Sequence, residues 1–136
     1  MAGVPLFGPF MIIGIGIDIV RAERIQKAVE KWGRRFLDRI FTPGEQAYCL
    51  QRNPSSLFLG GRFAVKEALL KAAGTGWSGG VRWRDIETGN LPGGKPFVQV
   101  SGRVSELLAD KKVTLIHVSI SHDTDYSVGQ VILESR

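Results

Sequence analysis

Glu67 and Lys71 place a carboxylate and an ammonium one helical turn apart in an otherwise apolar stretch, Gly60-Gly61-Arg62-Phe63-Ala64-Val65-Lys66-Glu67-Ala68-Leu69-Leu70-Lys71. At about 100° per residue, Gly60, Ala64, Glu67 and Lys71 fall within an arc of about 60° on a helix. A carboxylate can hold a divalent cation, an ammonium can meet a phosphate, and small neighbours let a ligand lie close, which suits a metal-bound phosphate ester. The spacing equally fits an ordinary ion pair, because Glu before Lys at i,i+4 is a favoured stabilising order. On spacing alone the ion pair is the preferred reading.

Asp18 is a third charged residue in an unusual setting. From Met11 to Val20 the pattern alternates as a strand, with Ile13, Ile15, Ile17 and Ile19 on one face and Gly14, Gly16 and Asp18 on the other. A carboxylate there is costly to bury unless it is paired or metal-bound, so Asp18 belongs at an edge or in a site. The competing role is a cap on the following helix. Lys95, between Gly94 and Pro96, is either a turn residue or an exposed phosphate contact.

Several common chemistries do not fit. Gly14-Ile15-Gly16 lacks the third glycine of a dinucleotide fingerprint, since Ile19 stands there, and there is no G-x-x-x-x-G-K-[ST] loop. His117 and His122 are five apart on a predicted strand and point to opposite faces, which argues against a local two-histidine metal site. Ser121 and His122 diverge in the same way, without a G-x-S-x-G elbow. The single Cys49 excludes an intrachain disulfide and any multi-cysteine zinc site, in keeping with a cytoplasmic protein.

The elements that must position these side chains follow from periodicity and punctuation. A basic helical segment is expected from about Arg21 to Ile40 if Gly33 permits the turn to continue, then a short helix opened by a Thr42/Glu45 capping box. Asn53-Pro54-Ser55-Ser56 supplies turn and cap chemistry for the long helix, which Gly74 terminates. A glycine-rich loop, Gly74 to Gly80, precedes strands at 81–88 and 96–100, a short helix near 103–109, and a hairpin of strands 113–121 and 126–133. Helices early and hairpins late give an α+β class, with an antiparallel sheet packed against the long helix.

At 136 residues and 43% hydrophobic content the chain has room for one domain with its own core. No Lys or Arg precedes Arg21, Pro5 and Pro9 interrupt the apolar start, and Asp18 ends it, so neither a signal peptide nor a membrane span is expected. Residues 1–10 read as an N-terminal extension and 11–136 as the domain. The net charge of +5 is concentrated between Arg21 and Arg39, where seven basic residues meet three acidic ones. That surface suits an acidic protein or a nucleic acid.

Taken in order, Gly14-Ile15-Gly16-Ile17-Asp18-Ile19, Arg24-Ile25, Arg39-Ile40-Phe41-Thr42-Pro43-Gly44-Glu45, Gly61 to Ala68 with Lys71, Gly74-Thr75-Gly76, Asp85-Ile86-Glu87, Gly94-Lys95-Pro96 and His117 to His122 form a set. This set resembles the small holo-acyl-carrier-protein synthases, the phosphopantetheinyl transferases of fatty-acid synthesis. The resemblance spans Met11 to about Glu134. It implies a single-domain phosphopantetheinyl transferase fold and transfer of the 4′-phosphopantetheine arm of coenzyme A to a carrier-protein serine, with adenosine 3′,5′-bisphosphate as the second product.

Carried over by position, the resemblance makes Asp18 and Glu67 ligands of Mg²⁺ and Lys71 a contact to the phosphate under attack. Arg62, Lys95, Pro96, Ser121 and His122 would hold the nucleotide end of coenzyme A. The nucleophile belongs to the carrier, and Glu67, directly or through a metal-bound water, is the preferred base. Arg24, Lys27 and Lys31 become docking contacts for an acidic acyl carrier protein. The resemblance also implies a homotrimer with sites between protomers. Two alternatives compete: a small basic nucleic-acid-binding module using Trp32 and Phe36 for stacking, which leaves Asp18, Glu67 and Lys71 without a task, and a metal-dependent phosphohydrolase that attacks with water.

Overall fold

The structure, a computed structural model, describes residues 10–136. The proposed extension over residues 1–10 therefore lies outside the described residues except for Phe10. Strand β1 (Met11–Arg21) leads into helices α1 (Ala22–Trp32), α2 (Arg34–Ile40), α3 (Pro43–Leu50) and the long α4 (Ser55–Ala73). A 3₁₀ turn at Trp83–Asp85 precedes β2 (Ile86–Asn90), β3 (Pro96–Val100), α5 (Gly102–Asp110), β4 (Leu115–Asp123) and β5 (Tyr126–Ser135). The α+β expectation holds: an antiparallel sheet in the order β1-β5-β4 packs on α4, and β2-β3 forms a separate hairpin.

Glycine on the inner sheet face lets β1 and α4 touch. A Cβ on Gly16 would stand 1.8 Å from the Ala68 carbonyl oxygen, and one on Gly14 would stand 1.8 Å from that of Ala72. Any side chain at either position would push the strand off the helix. Gly129 on β5, opposite Asp18, meets the backbone of Ala64 and Val65 in the same way. These small residues accommodate strand backbone. Gly60 likewise abuts Ser127 and Ile25, so the small-residue stripe beside Glu67 and Lys71 seats the sheet and not a ligand.

The core falls into two clusters along α4. Val65, Leu69, Val131, Leu133, Ile86, Val104 and Leu108 fill the space between α4, the sheet, β2 and α5. Ile25, Leu37, Phe41, Leu59 and Phe63 pack α1, α2 and α3 against the preceding turns. At about 1.5–3 kcal/mol per fully buried large apolar side chain, this burial is the main force holding the long helix in place.

Four local expectations are corrected. The basic helix breaks at Gly33, whose φ of 55° and ψ of −131° take the chain out of helical geometry, so Arg34 and Arg35 belong to α2. Ser55 and Ser56 lie inside α4, where Pro54 is the N-cap residue and no side chain caps. The strand foreseen at 81–88 starts only at Ile86, because the Asp85 N–H donates to Arg82 O and its carboxylate accepts from Arg82 N at 3.1 Å. A register shift between Ile12 and Gly14 turns Ile13 towards the core and away from the face of Ile15, Ile17 and Ile19. The Thr42/Glu45 capping box and the left-handed Gly74 stop form as expected.

Candidate active site

Lys71 does not pair with Glu67. Its Nζ lies 2.9 Å from Asp18 Oδ1 and donates to the Ile17 carbonyl at 3.0 Å, so it bridges α4 to β1. Asp18 is 19% exposed and Lys71 54%, which leaves the ammonium able to reach a ligand. The capping role is excluded for Asp18, because Arg21 is the N-cap residue of α1 and no side chain caps that helix. As the alternation requires, Asp18 stands on the glycine side of β1, against the turn of α4 that carries Glu67 and Lys71.

Glu67 is half-buried, and its Oε2 accepts a hydrogen bond from the Trp77 indole Nε1–H at 3.1 Å. No other donor reaches it among the described residues. Among those residues no group of three or more His, Cys, Asp and Glu forms a metal cage. Two carboxylates with only oxygen donors fit Mg²⁺, which takes one or two protein carboxylates and fills its shell with phosphate and water; they do not fit a structural zinc centre.

A second group gathers around Arg62. Its side chain is almost wholly buried, stacks 4.2 Å over the Tyr48 ring and donates to Asn90 Oδ1, while its Nε has no partner. Asn90 Nδ2 donates in turn to Gly94 O at 2.8 Å, which ties Arg62 to the exposed turn bearing Lys95 and Pro96. His122 packs on Phe58, with ring centroids 5.2 Å apart, and its Nδ1 meets Ser127 Oγ at 3.0 Å. Burial, aided by the positive Arg62, holds the His122 imidazole below its usual pKa. Ser121 lies on the other face of β4 beside Val128, so one chain does not bring it to Arg62 and His122.

The docking candidates line up on α1. Arg24 stacks 5.3 Å over Phe63, Lys27 pairs with Glu23 at 2.8 Å, and Lys31 lies 4.9 Å over Trp32. Beside them a groove is lined by Trp32, Arg35, Phe36, Arg39, Ile40 and Trp83. Cys49 is buried and its thiol is pushed up to about 11, which leaves it inert as a nucleophile at neutral pH.

Sequence reasoning passed over Lys66, which is fully buried. Its Nζ meets Glu45 Oε1 at 2.8 Å and donates to the carbonyls of Trp83 and Ile86. Burial holds the Lys66 pKa below its usual value, although Glu45 opposes the shift. Glu45 also accepts from Thr42 N and Thr88 N, so one carboxylate caps α3 and fastens it to α4 and β2. The signal was present: Leu59, Phe63, Lys66 and Leu70 share an arc of about 60°, which puts the lysine on an apolar stripe. Trp77 and Asn90 carried no comparable signal, because each sits in a loop or at a strand end.

The strand–helix contact thus joins Asp18 to Lys71, with Glu67 one turn earlier on the same helix and Arg62 buried farther back along it, and the comparisons with known proteins place this α+β domain among the transferases. The family model described as 4′-phosphopantetheinyl transferase superfamily matches residues 14–131. A holo-(acyl-carrier-protein) synthase of Protochlamydia amoebophila is 46% identical over 92% of this chain and 100% of its own length. The structure of the Neisseria meningitidis holo-(acyl-carrier-protein) synthase is 36% identical, covers 90% of this chain and 98% of its own, and superposes with a TM-score of 0.82. That of the Helicobacter pylori enzyme in complex with coenzyme A is 32% identical, covers 88% and 98%, and gives 0.78. The chain belongs to the 4′-phosphopantetheinyl transferase superfamily and, within it, to the holo-acyl-carrier-protein synthases.

Proposed function

We infer that this enzyme transfers the 4′-phosphopantetheine group of coenzyme A to a serine hydroxyl of apo-acyl-carrier protein and releases adenosine 3′,5′-bisphosphate. Membership of the family carries this reading, and the contact of Asp18 with Lys71 across β1 and α4, one helical turn from Glu67, supports it. Asp18 and Glu67 would hold Mg²⁺, and the ion would supply positive charge to neutralise the pyrophosphate. Lys71, bonded to Asp18 in the free enzyme, turns its ammonium to the phosphate under attack and stabilises charge that grows there. Glu67 takes the serine proton as the new O–P bond forms and the bond to adenosine 3′,5′-bisphosphate breaks.

Arg62, Lys95, Pro96 and His122 hold the nucleotide end of coenzyme A. The outer sheet face supports a homotrimer: Ile15, Ile17 and Ile19 are 61%, 56% and 61% exposed, a row of β-branched side chains that water disfavours. Ser121 stands on that same face, so a neighbouring protomer supplies it to a site between chains. Arg24, Lys27 and Lys31 receive the acidic carrier, with the adjoining groove taking its apolar contacts. Cytoplasmic carrier modification for fatty-acid synthesis is the setting we propose; no helix among the described residues is long and apolar enough to cross a membrane.

The direct test combines the protein, coenzyme A, Mg²⁺ and unmodified acyl carrier protein, and weighs the carrier by mass spectrometry. A mass gain of one phosphopantetheine on the carrier serine is expected. Release of phosphopantetheine to water without a carrier adduct would establish a phosphohydrolase instead.

A further inference from the structure

We propose that Trp77 is a positioning residue for Glu67, holding one oxygen of its carboxylate so that the other is presented to the metal. This rests on the reading of Glu67 as a metal ligand. The indole N–H donates to Oε2 at 3.1 Å, and Oε1 meets no protein donor among the described residues. A glutamate side chain on a helix swings freely about its outer torsions, and a fixed donor on one oxygen removes that freedom before a cation arrives.

The indole is itself firmly seated. Trp77 stacks on Trp83 with centroids 3.6 Å apart and planes at 30°, and Trp83 stacks on Phe63 of α4 at 5.0 Å and 24°. Phe63 lies one turn before Glu67, so the stack starts on the helix that carries its hydrogen-bond acceptor. The loop that carries Trp77 has positive φ at Gly74, Gly76, Gly79 and Gly80, conformations that favour glycine. Arg103 Nε donates to Gly79 O and Ser78 Oγ to Thr75 O, each at 3.1 Å, which closes the loop on both sides of the indole. A solvent-facing loop tryptophan would need neither the stack nor the acceptor.

Full-length protein labelled with ¹⁵N at its three indoles tests this, because Trp32, Trp77 and Trp83 each give one N–H resonance. Glu67→Gln should move the Trp77 resonance and leave that of Trp32 in place. Trp77→Phe keeps a stacking ring and deletes the donor. In the complex with adenosine 3′,5′-bisphosphate, its Mn²⁺ dissociation constant, read by electron paramagnetic resonance, should rise about tenfold over wild type. If Mn²⁺ binding is lost in Glu67→Gln but unchanged in Trp77→Phe, Trp77 has no positioning role and the metal assignment stands. If Glu67→Gln binds Mn²⁺ as wild type does, Glu67 is not a ligand, and the site reading fails together with the inference. An unmoved Trp77 resonance in Glu67→Gln overturns the hydrogen bond itself, whether or not Trp77→Phe folds.

Discussion

Lys71 Nζ sits 2.9 Å from Asp18 Oδ1, across a strand–helix contact and 53 positions along the chain, while its helical neighbour Glu67 bonds to Trp77 instead. A half-exposed ion pair of this kind contributes about 0–1 kcal/mol to stability. Its value is placement: it holds the ammonium beside the carboxylate, where the proposed phosphate contact would be made.

Asp18→Asn and Glu67→Gln should each lower metal-dependent transfer by about 100-fold or more, equal to about 3 kcal/mol of transition-state stabilisation. Circular dichroism and the melting temperature should stay close to wild type, since neither group is a core residue. Steady-state rates across a Mg²⁺ titration check this, and a wild-type rate in either variant removes that residue from the metal site.

Lys27→Glu together with Lys31→Glu should weaken carrier binding and flatten its dependence on salt, because the lost attraction is the screened part. Titration calorimetry at two ionic strengths measures both effects. Unchanged affinity would move the docking surface off this part of α1.

Lys66→Met should cost about 3–5 kcal/mol, because it strands the buried Glu45 carboxylate without its cation. Urea denaturation reads the loss. The double variant Lys66→Met with Glu45→Gln should recover part of it, and a double-mutant cycle gives the coupling. A Lys66→Met protein as stable as wild type would show that the pair carries no weight.

The His122 imidazole should titrate below 6.5, since burial and then the Arg62 charge disfavour its protonated form. As pH falls past 6.5 the unfolded chain takes up the proton first. The stability tied to neutral His122 is therefore complete above 6.5 and is lost as pH falls through the folded-state pKa. Proton NMR follows the ring directly, and Arg62→Met should raise its midpoint towards 6.5. A midpoint above 6.5 in the wild-type protein would reverse the assignment.

Ile17→Asp should disperse the proposed homotrimer, because one buried charge per protomer has no partner in an apolar interface. Light scattering after size exclusion compares the masses. A wild-type protein that runs as a monomer would remove the interface outright.

Much of the fold was legible in short stretches of chain. Alternation over Met11 to Val20 gave β1 and put Asp18 on the glycine side; the Thr42/Glu45 box and Gly74 marked helix ends; the punctuated runs after Gly80 announced the hairpins. These features are local, since side-chain period, caps and left-handed glycine all act within a few residues. Some errors came from local backbone geometry, as at Gly33 and Pro54, and others from contacts made elsewhere in the fold. Residues 81–85 looked strand-like, but Lys66 and Asp85 hold their backbone in a turn. Ile13 kept its place in the alternation only until β5 imposed a shift of register.

The residue types of the candidate site, two acids, a lysine and an arginine on the right elements, were determined by the sequence itself. The partners were decided only by the tertiary structure. Lys71 chose Asp18 over Glu67, Glu67 took the indole of Trp77, and Glu45 took Lys66 in addition to its capping-box partner. Each choice joins segments that come together only when Gly14, Gly16 and Gly129 let the sheet close on α4. Charge pairing depends on distance in space and on the loss of water, and neither can be read from separation along a chain.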